Sequence, residues 1–294
     1  MQPLVTIAIP TYNRADGHLR DVIDASLRQT WENLEIVVGD NASTDDTPAL
    51  VSGFDDPRLR YIRHETNIGA NGNFNHLLKE ARGEWFLLFH DDDMIDDDFV
   101  ESCMRVVEPD TTHAFIRTGV RAINADGAVL KERPNTLIGT SREDFYLSWF
   151  RSRTGLYLCN TLYHTARLRE VGGFRSVHNL LEDNFAIAKL LERWTHGNVT
   201  EIKASYRYTY DQRTYRVPVV SWCEDFRELL RRIEDQCTGE KRDDVSNEGR
   251  RFFGRLCVRR ANALASTARR VVARLQVARF FGPGTLRQPW TNKI

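Results

Sequence analysis

Three consecutive carboxylates, Asp91, Asp92 and Asp93, follow the apolar run Trp85-Phe86-Leu87-Leu88-Phe89 with only His90 between. Such a run predicts a strand buried on both faces, whose carboxyl end would hold acid in the crevice where open α/β sheets bind ligands. Adjacent carboxylates repel one another. A hard divalent cation such as Mg²⁺ or Mn²⁺ relieves that repulsion, and these ions are commonly shared between one or two carboxylates and substrate phosphates. The chemistry expected is therefore a metal-held phosphate ligand. Helix capping is the competing explanation, since Asp favours helix N-termini and Asp96, Asp97 and Asp98 extend the acidity. Six Asp within the eight positions 91–98 exceed what a cap needs.

Two more polar clusters follow apolar stretches in the same way. Pro10-Thr11-Tyr12-Asn13-Arg14 comes after residues 5–9, and Gly39-Asp40-Asn41-Ala42-Ser43-Thr44-Asp45-Asp46-Thr47 after residues 34–38. Either alone could be turn chemistry, with Ser43 or Thr44 capping a helix that begins near Asp45. Further on, Leu180-Leu181-Glu182-Asp183-Asn184-Phe185 places two acids at the start of an apolar-periodic helix. There they would favour the helix dipole. His164, His178 and His196 are isolated in the chain and are expected at the surface or satisfied by neighbours rather than as ligands.

The elements that must position these groups alternate. Strand-like runs at 5–9, 34–38, 60–63 and 85–89 are separated by helix-like segments at 16–29, 45–52, 70–81 and 97–107, the signature of βαβ units and a mostly parallel sheet. Beyond Phe115 the pattern becomes irregular, with an Asn124-Ala125-Asp126-Gly127 turn between short β-like pieces and a helix expected over 142–150. After Val217-Pro218 the chain reads as helical. Phe253, Cys257, Ala261, Leu264, Ala268, Val271, Leu275 and Ala278 fall on one face, with arginines mostly on the other. That face could dock on the main domain, form a homodimer seam, or lie on an anionic membrane surface.

Composition sets further bounds. With 294 residues and 41% hydrophobic content, the chain can bury a sizeable core. Five cysteines without a C-x-x-C pair argue against a disulfide framework and a structural zinc site, and fit a cytoplasmic setting. Neither a signal-peptide pattern nor a membrane-length apolar run is present, so any membrane contact would be peripheral, at the inner face. The net charge of zero conceals an asymmetry: residues 249–294 hold ten Arg, one Lys and no acid, a charge of +11 that leaves −11 on residues 1–248. Without a recognised nucleic-acid-binding module this basic tail does not read as a nucleic-acid binder.

In combination these motifs resemble the inverting glycosyltransferases of family 2, with their GT-A fold. The resemblance rests on residues 10–14, Asp40-Asn41-Ala42-Ser43-Thr44-Asp45, Asn67-Ile68-Gly69, Ala81-Arg82-Gly83-Glu84, Asp91 to Asp93, Val171-Gly172-Gly173-Phe174 and Glu182-Asp183, in the family's order across residues 4–213. It implies a Rossmann-like GT-A domain over 1–215, with a nucleotide-binding half (1–110) and an acceptor half (111–215), followed by a helical, Arg-rich extension over 216–294. It also implies a donor pocket in which Pro10, Thr11 and Tyr12 meet the nucleotide. Asp40 would accept from a base N–H, a contact suited to uracil or thymine, because a wrong base would leave a buried polar group unpaired.

Arg14 would reach the phosphates, Asn67 and Gly69 would line the pocket, and Gly173 would lie under the donor sugar. Arg207 or Arg213 would contact the diphosphate. Metal binding falls to Asp92 and Asp93, with Asp91 turned to the ribose. The register of the family's Asp-x-Asp motif is ambiguous, since His90-Asp91-Asp92 and Asp91-Asp92-Asp93 both fit, and Asp93 could instead cap a helix. Family members often carry Arg immediately before the residue aligned with Asn75, where this chain has Phe74.

Asp183 is the implied general base, supported by Glu182. The implied reaction moves sugar from a nucleotide-diphospho donor to a glycan or lipid-linked acceptor with Mn²⁺ or Mg²⁺ as cofactor. Three alternatives stand beside it. A polyprenyl-phosphate glycosyltransferase would use the basic tail as its membrane dock. A sugar-phosphate nucleotidyltransferase would need a glycine-rich loop after the first strand, which Pro10-Thr11-Tyr12-Asn13 does not provide. An inactive sugar-nucleotide-binding protein sits poorly with Asp40, Asp92 and Asp183 occurring together.

Overall fold

The first ninety residues carry their apolar side chains in contiguous runs, which bury efficiently only when both faces of a sheet are covered. In the computed structural model, which describes residues 2–107, 112–208 and 217–288, these runs are the parallel strands β1 (Val5–Thr11), β2 (Leu34–Asp40) and β4 (Trp85–Leu88), and the half-buried β3 (Leu59–Arg63) joins them in parallel beside β2. They lie in the order β3-β2-β1-β4, and every residue of β1, β2 and β4 is buried. Helices α1 (Leu19–Leu27), α2 (Thr47–Ser52) and α3 (Ala70–Glu80) follow β1, β2 and β3 respectively.

Register then brings the polar ends together. Thr11 on β1 lies opposite Asp40 on β2, and Asp40 lies opposite Arg63 on β3. Leu88 pairs with Ala8, so the chain leaves β4 toward Asp91 at the same edge of the sheet. Three loops thus open side by side.

The chain continues through β5 (Met94–Ile95), α4 (Phe99–Met104), β6 (His113–Ile123), β7 (Val129–Arg133), α5 (Arg142–Phe150), β8 (Thr161–His164), α6 (Thr165–Glu170), α7 (Glu182–Leu191) and β9 (Thr195–Arg207). The sheet extends from β4 through β8, β6, β9 and β5, with β7 paired to β6, giving nine strands among the described residues. The turn expected at 124–127 joins β6 to β7, held by Asn124 Oδ1 accepting from the Asp126 and Ala128 N–H groups. The 142–150 helix forms as α5. Strands β8 and β9 lie where the sequence reads as irregular. β9 has the composition THGNVTEIKASYR and no strict burial alternation, so its extended state depends on pairing with β6 and β5 rather than on its own pattern.

The described residues cluster into two compact units. One comprises Met1–Leu137, Arg153–Phe174 and Lys189–Thr209 and contains the whole sheet; the other comprises Ile138–Ser152, Arg175–Ala188 and Tyr210–Ile294 and is helical. In the helical unit, α8 (Val219–Gln236), α9 (Arg242–Asn262) and α10 (Thr267–Phe281) join α5. Phe226 stacks on Phe253 at 4.7 Å between centroids, and Phe150 meets Phe253 edge-on at 5.3 Å. A Cβ at Gly249 would sit 2.5 Å from the Leu230 side chain, so its absence lets α9 press against α8.

The single apolar face expected along 253–278 is corrected here. Phe253, Cys257 and Ala261 are buried on α9, whereas Ala268, Val271 and Leu275 are exposed on α10, whose buried positions are Ala273, Arg274, Val277 and Phe281. The helix breaks at 263–266 and resumes in a different rotational phase. Arginines hold the break: Arg270 donates to the Leu264 carbonyl at 2.5 Å, and buried Arg274 donates to Asn262 and to the carbonyls of Leu286 and Gln288. Such donors satisfy carbonyls that a helix end leaves orphaned. Among the described residues no helix is long and apolar enough to cross a membrane.

Candidate active site

The loops after β1 and β2 are laced together by polar side chains. Ser43 Oγ accepts from the Asn13 N–H at 2.9 Å, Thr47 Oγ1 from Arg14 N–H at 3.0 Å, and Asp45 from Ala15 N–H at 3.0 Å. Asn13 Oδ1 in return accepts from the Thr44 N–H. Ser43 and Thr44 are therefore not the helix caps that turn chemistry suggests; the residue before α2 is Asp46. Asn13 and Ala42 take positive φ, 53° and 64°. Strained backbone of this kind persists where surrounding contacts over-determine it.

Asp40 is fully buried at the centre of this lacing. Its Oδ1 accepts from the Ser43 N–H at 2.8 Å, while Oδ2 accepts from the Tyr61 hydroxyl and lies 3.7 Å from the Arg63 guanidinium. Burial and the Asp40 charge together push the Tyr61 hydroxyl well above its ordinary pKa. Tyr61 and Arg63, both on β3, carry no motif signal; only the β2–β3 register brings them to Asp40.

The acid triplet divides between two surroundings. Asp91 lies 3.5 Å from the half-exposed Arg14 guanidinium. Burial pushes its carboxyl up to about 6, against the pull of Arg14, the Thr11 hydroxyl and the Tyr12 N–H, while the Asp92 charge pushes the same way as burial. Asp92 and Asp93 group instead with His90, and one ligand atom from each of the three lies within 4.8 Å of the others. Asp93 is held up strongly by burial and next by the Asp92 charge, although the Arg207 N–H donates to it at 3.0 Å. Burial lowers the pKa of the His90 imidazole, against the pull of the Asp92 charge, and its Nε2 is buried with no hydrogen-bond partner among the described residues. A neutral imidazole and two crowded carboxylates form a donor set suited to a divalent cation, which would remove the repulsion between the acids.

The capping explanation for the triplet does not hold. β5 intervenes before α4, and Asp98, the residue before that helix, makes no side-chain cap. Asp96, Asp97 and Asp98 pair with Arg121, Arg28 and Lys203 respectively.

A third loop closes on the second. Asn41 Nδ2 donates to Asn67 Oδ1 at 2.9 Å, and Asn41 Oδ1 accepts from the Ile68 N–H at 2.8 Å. Gly69 follows at φ 78° and ψ 158°, backbone that only glycine adopts readily, and opens α3. Along α3, Asn73 donates to the Gly39 carbonyl at 2.7 Å, where a Cβ on Gly39 would lie 2.8 Å from the Asn73 side chain. Asn75 both donates to and accepts from the Phe174 backbone, at 2.8 and 2.9 Å.

The structure thus brings Thr11, Arg14, Asp40, Asp91, Asp92 and Asp93 together with the clasped Asn67 and Gly69. Pro10 is buried in β1 opposite Gly39, and Tyr12 is exposed beside them. Gly173, at φ 67°, packs on α3: a Cβ there would fall 2.3 Å from Asn75 Oδ1. Phe74 places its ring 5.4 Å from that of His90. The Ala81-Arg82-Gly83-Glu84 motif lies at the opposite end of the sheet, where the Gly83 N–H donates to Thr6 and its carbonyl accepts from Thr165. The Arg207 guanidinium donates to the carbonyls of Asp92, Asn124 and Ala125. Arg213 lies outside the described residues.

Glu182 and Asp183 belong to the helical unit. Burial pushes the Asp183 carboxyl up to about 7, and the Glu182 charge adds to this, while the Asn184 N–H pulls it down. The approach to α7 is anchored on α8. Asp225, fully buried, accepts from Ser176 Oγ and the His178 N–H, both at 2.8 Å, and Ser176 Oγ accepts from the Leu180 and Leu181 N–H groups. No local pattern marks Asp225, whose partners lie more than forty residues away. The isolated histidines are engaged: His164 caps α6, His178 bonds Glu224 at 2.7 Å, and His196 stacks on Phe115.

With the geometry in place, comparison with known proteins is consistent. The sequence profile "Glycosyl transferase family 2" matches residues 6–171. A Campylobacter jejuni protein named GalNAc(5)-diNAcBac-PP-undecaprenol beta-1,3-glucosyltransferase is 32% identical over 133 residues, 44% of this chain and 42% of its own length. The chain spans between 13% and 42% of the length of the curated relatives it matches. Among solved structures, S. aureus TarS 1–349 in complex with UDP-GlcNAc superposes with a TM-score of 0.64 at 16% identity, over 95% of this chain and 89% of that one. The mannosyltransferase PcManGT from Pyrobaculum calidifontis, in complex with GDP-Man and Mn²⁺, gives 0.59 at 17% identity, over 99% and 82%. The fold is that of GT-A glycosyltransferases, and the chain belongs to glycosyl transferase family 2.

Proposed function

We propose that the chain transfers a sugar from a nucleotide-diphospho donor to a hydroxyl of a glycan or lipid-linked acceptor, with inversion at the anomeric carbon. The observation that carries this reading is the His90, Asp92 and Asp93 donor set standing beside the Asp91–Arg14 pair at the strand ends. Neighbouring folds are known with UDP-GlcNAc and with GDP-Man and Mn²⁺, and a relative is named for an undecaprenol-linked substrate. Those names support the class of donor and acceptor. Membership of the transferase family removes support for the nucleotidyltransferase alternative.

The residues divide the work. Asp40 accepts the imide N–H of a uracil or thymine base alongside the Tyr61 hydroxyl, which a carboxylate oxygen with a spare lone pair allows. Asp91 faces the ribose, and Arg14 turns from Asp91 to the diphosphate. A divalent cation held by His90, Asp92 and Asp93 would neutralise charge on the departing diphosphate. The acceptor oxygen forms its bond to the anomeric carbon as the bond to the diphosphate breaks, and Asp183 takes the acceptor's hydroxyl proton. A carboxyl near pH 7 is matched to that task, because it is both basic enough to accept the proton and ionised enough to be ready.

Isothermal calorimetry with UDP and dTDP sugars, with and without Mn²⁺, tests the reading. Donor uptake by the wild-type chain should require the cation, and His90→Ala or Asp92→Ala should weaken it by at least about 10- to 100-fold. Uptake unaffected by Mn²⁺ and by both substitutions would remove the metal assignment.

A further inference from the structure

Helix α10 carries an apolar surface that its own unit leaves uncovered. Val271, Val272 and Leu275 are 43%, 56% and 56% exposed, and Leu286, just beyond the helix, is 40% exposed. At 100° per residue, Ala268, Val271, Val272, Leu275 and Ala278 share one arc, centred on Leu275 and opposite the buried Ala273 and Val277. Arg279 lies on the same arc at the C-terminal end, exposed Arg269 borders it, and exposed Arg287 follows in the short 3-10 turn Pro283–Arg287. Arg274, buried at the back, ties this turn to α10 through the Leu286 and Gln288 carbonyls. The surface is therefore built on a fixed frame.

Two features decide what covers it. Three exposed branched aliphatic side chains on one arc, Val271, Val272 and Leu275, favour an apolar phase over water. The charge the segment itself supplies has one sign, since no Asp or Glu occurs between residues 249 and 294, and Glu234 of α8, which lines a pocket with Arg279, is already paired with Arg250. A second copy of the same face would oppose arginine with arginine, which disfavours a homodimer seam. An anionic bilayer surface satisfies both demands, with the aliphatic side chains entering the headgroup–acyl boundary and the arginines extending to lipid phosphates.

We propose that the exposed face of α10, with Leu286 and Arg287, docks the protein peripherally on anionic lipid. This does not depend on the transfer chemistry. Co-sedimentation of the full chain with phosphatidylcholine vesicles containing 0 or about 30% phosphatidylglycerol tests it, at low and at about 0.5 M salt. The wild type should bind the anionic vesicles at least ~10-fold better than the neutral ones, and lose most of that binding in high salt. Val272→Glu combined with Leu275→Glu should reduce binding at least ~10-fold, with the circular dichroism spectrum and melting temperature unchanged because both positions already face solvent. Arg279→Glu, which leaves the aliphatic side chains in place, should weaken binding to anionic vesicles alone. Equal sedimentation of the double variant and the wild type overturns the proposal. So does a concentration-dependent dimer in light scattering that the double variant abolishes, which would assign the face to a second copy.

Discussion

At the scale of single residues, Asp183 is under electrostatic tension, its carboxyl held near 7 by burial and by Glu182. A carboxyl raised above its unfolded value makes the folded state bind the extra proton between about pH 4 and 7. Stability is then greatest below that window and falls as pH rises through it. Asp183→Asn removes the charge that burial penalises. It should raise stability at pH 8 by up to about 4 kcal/mol and flatten the pH dependence, as measured by urea denaturation. The same substitution should lower turnover by about 10²- to 10⁴-fold if Asp183 is the base, with nucleotide affinity preserved. A variant that is both more stable and slower identifies a residue kept for chemistry rather than for the fold.

At the scale of elements, legibility follows the distance over which a signal travels. The strands β1, β2 and β4 could be read because their burial on both faces requires contiguous apolar runs, and the polar groups that follow each run mark its carboxyl end. Arg142–Phe150 could be read from its own boundary, and Ser141 indeed caps it through the Asp144 N–H. β8 and β9 could not be read, because β8 pairs with β4 and β6 and β9 with β6 and β5, all remote in sequence. The break between α9 and α10 was hidden for a related reason: no Gly or Pro marks it, and arginines counted as a polar face hold it instead. In the site, Asp40, Asn67 and the acid triplet were legible as motifs, whereas Tyr61, Arg63 and Asp225 act only through register or packing. His90 stood in the sequence as one of two registers, and the donor geometry makes it a third potential ligand.

The Asp225 anchor supplies the prediction at this scale. Asp225→Ala leaves the Ser176 hydroxyl and the His178 N–H without their acceptor, at a cost of about 1–3 kcal/mol for each group that stays buried. The loss should concentrate in residues 176–181, visible as faster amide hydrogen exchange there than in β1 or β2. If those residues position Asp183, the effect on the enzyme should fall on kcat and on the pH profile rather than on donor affinity.

At the scale of the molecule, all five cysteines are free and buried. Burial raises the Cys237 thiol to about 12 and raises those of Cys103, Cys159 and Cys257 as well. Since the thiolate is the reactive form, the native chain should resist alkylation and mild oxidants. A thiol-reactive chromophore should titrate fewer than about one group in native protein and all five after guanidinium denaturation. Rapid reaction of a native thiol would show that one of these regions opens easily.

The segregation of charge along the chain has a consequence for how the protein is handled. A molecule of zero net charge has no overall repulsion to keep its copies apart, and here the acid-rich stretch of one copy can attract the arginine-rich stretch of another. Added electrolyte weakens that attraction. Dilute buffers near neutrality should therefore give turbid preparations that clear as sodium chloride is added, salting-in behaviour opposite to what apolar clustering alone would produce.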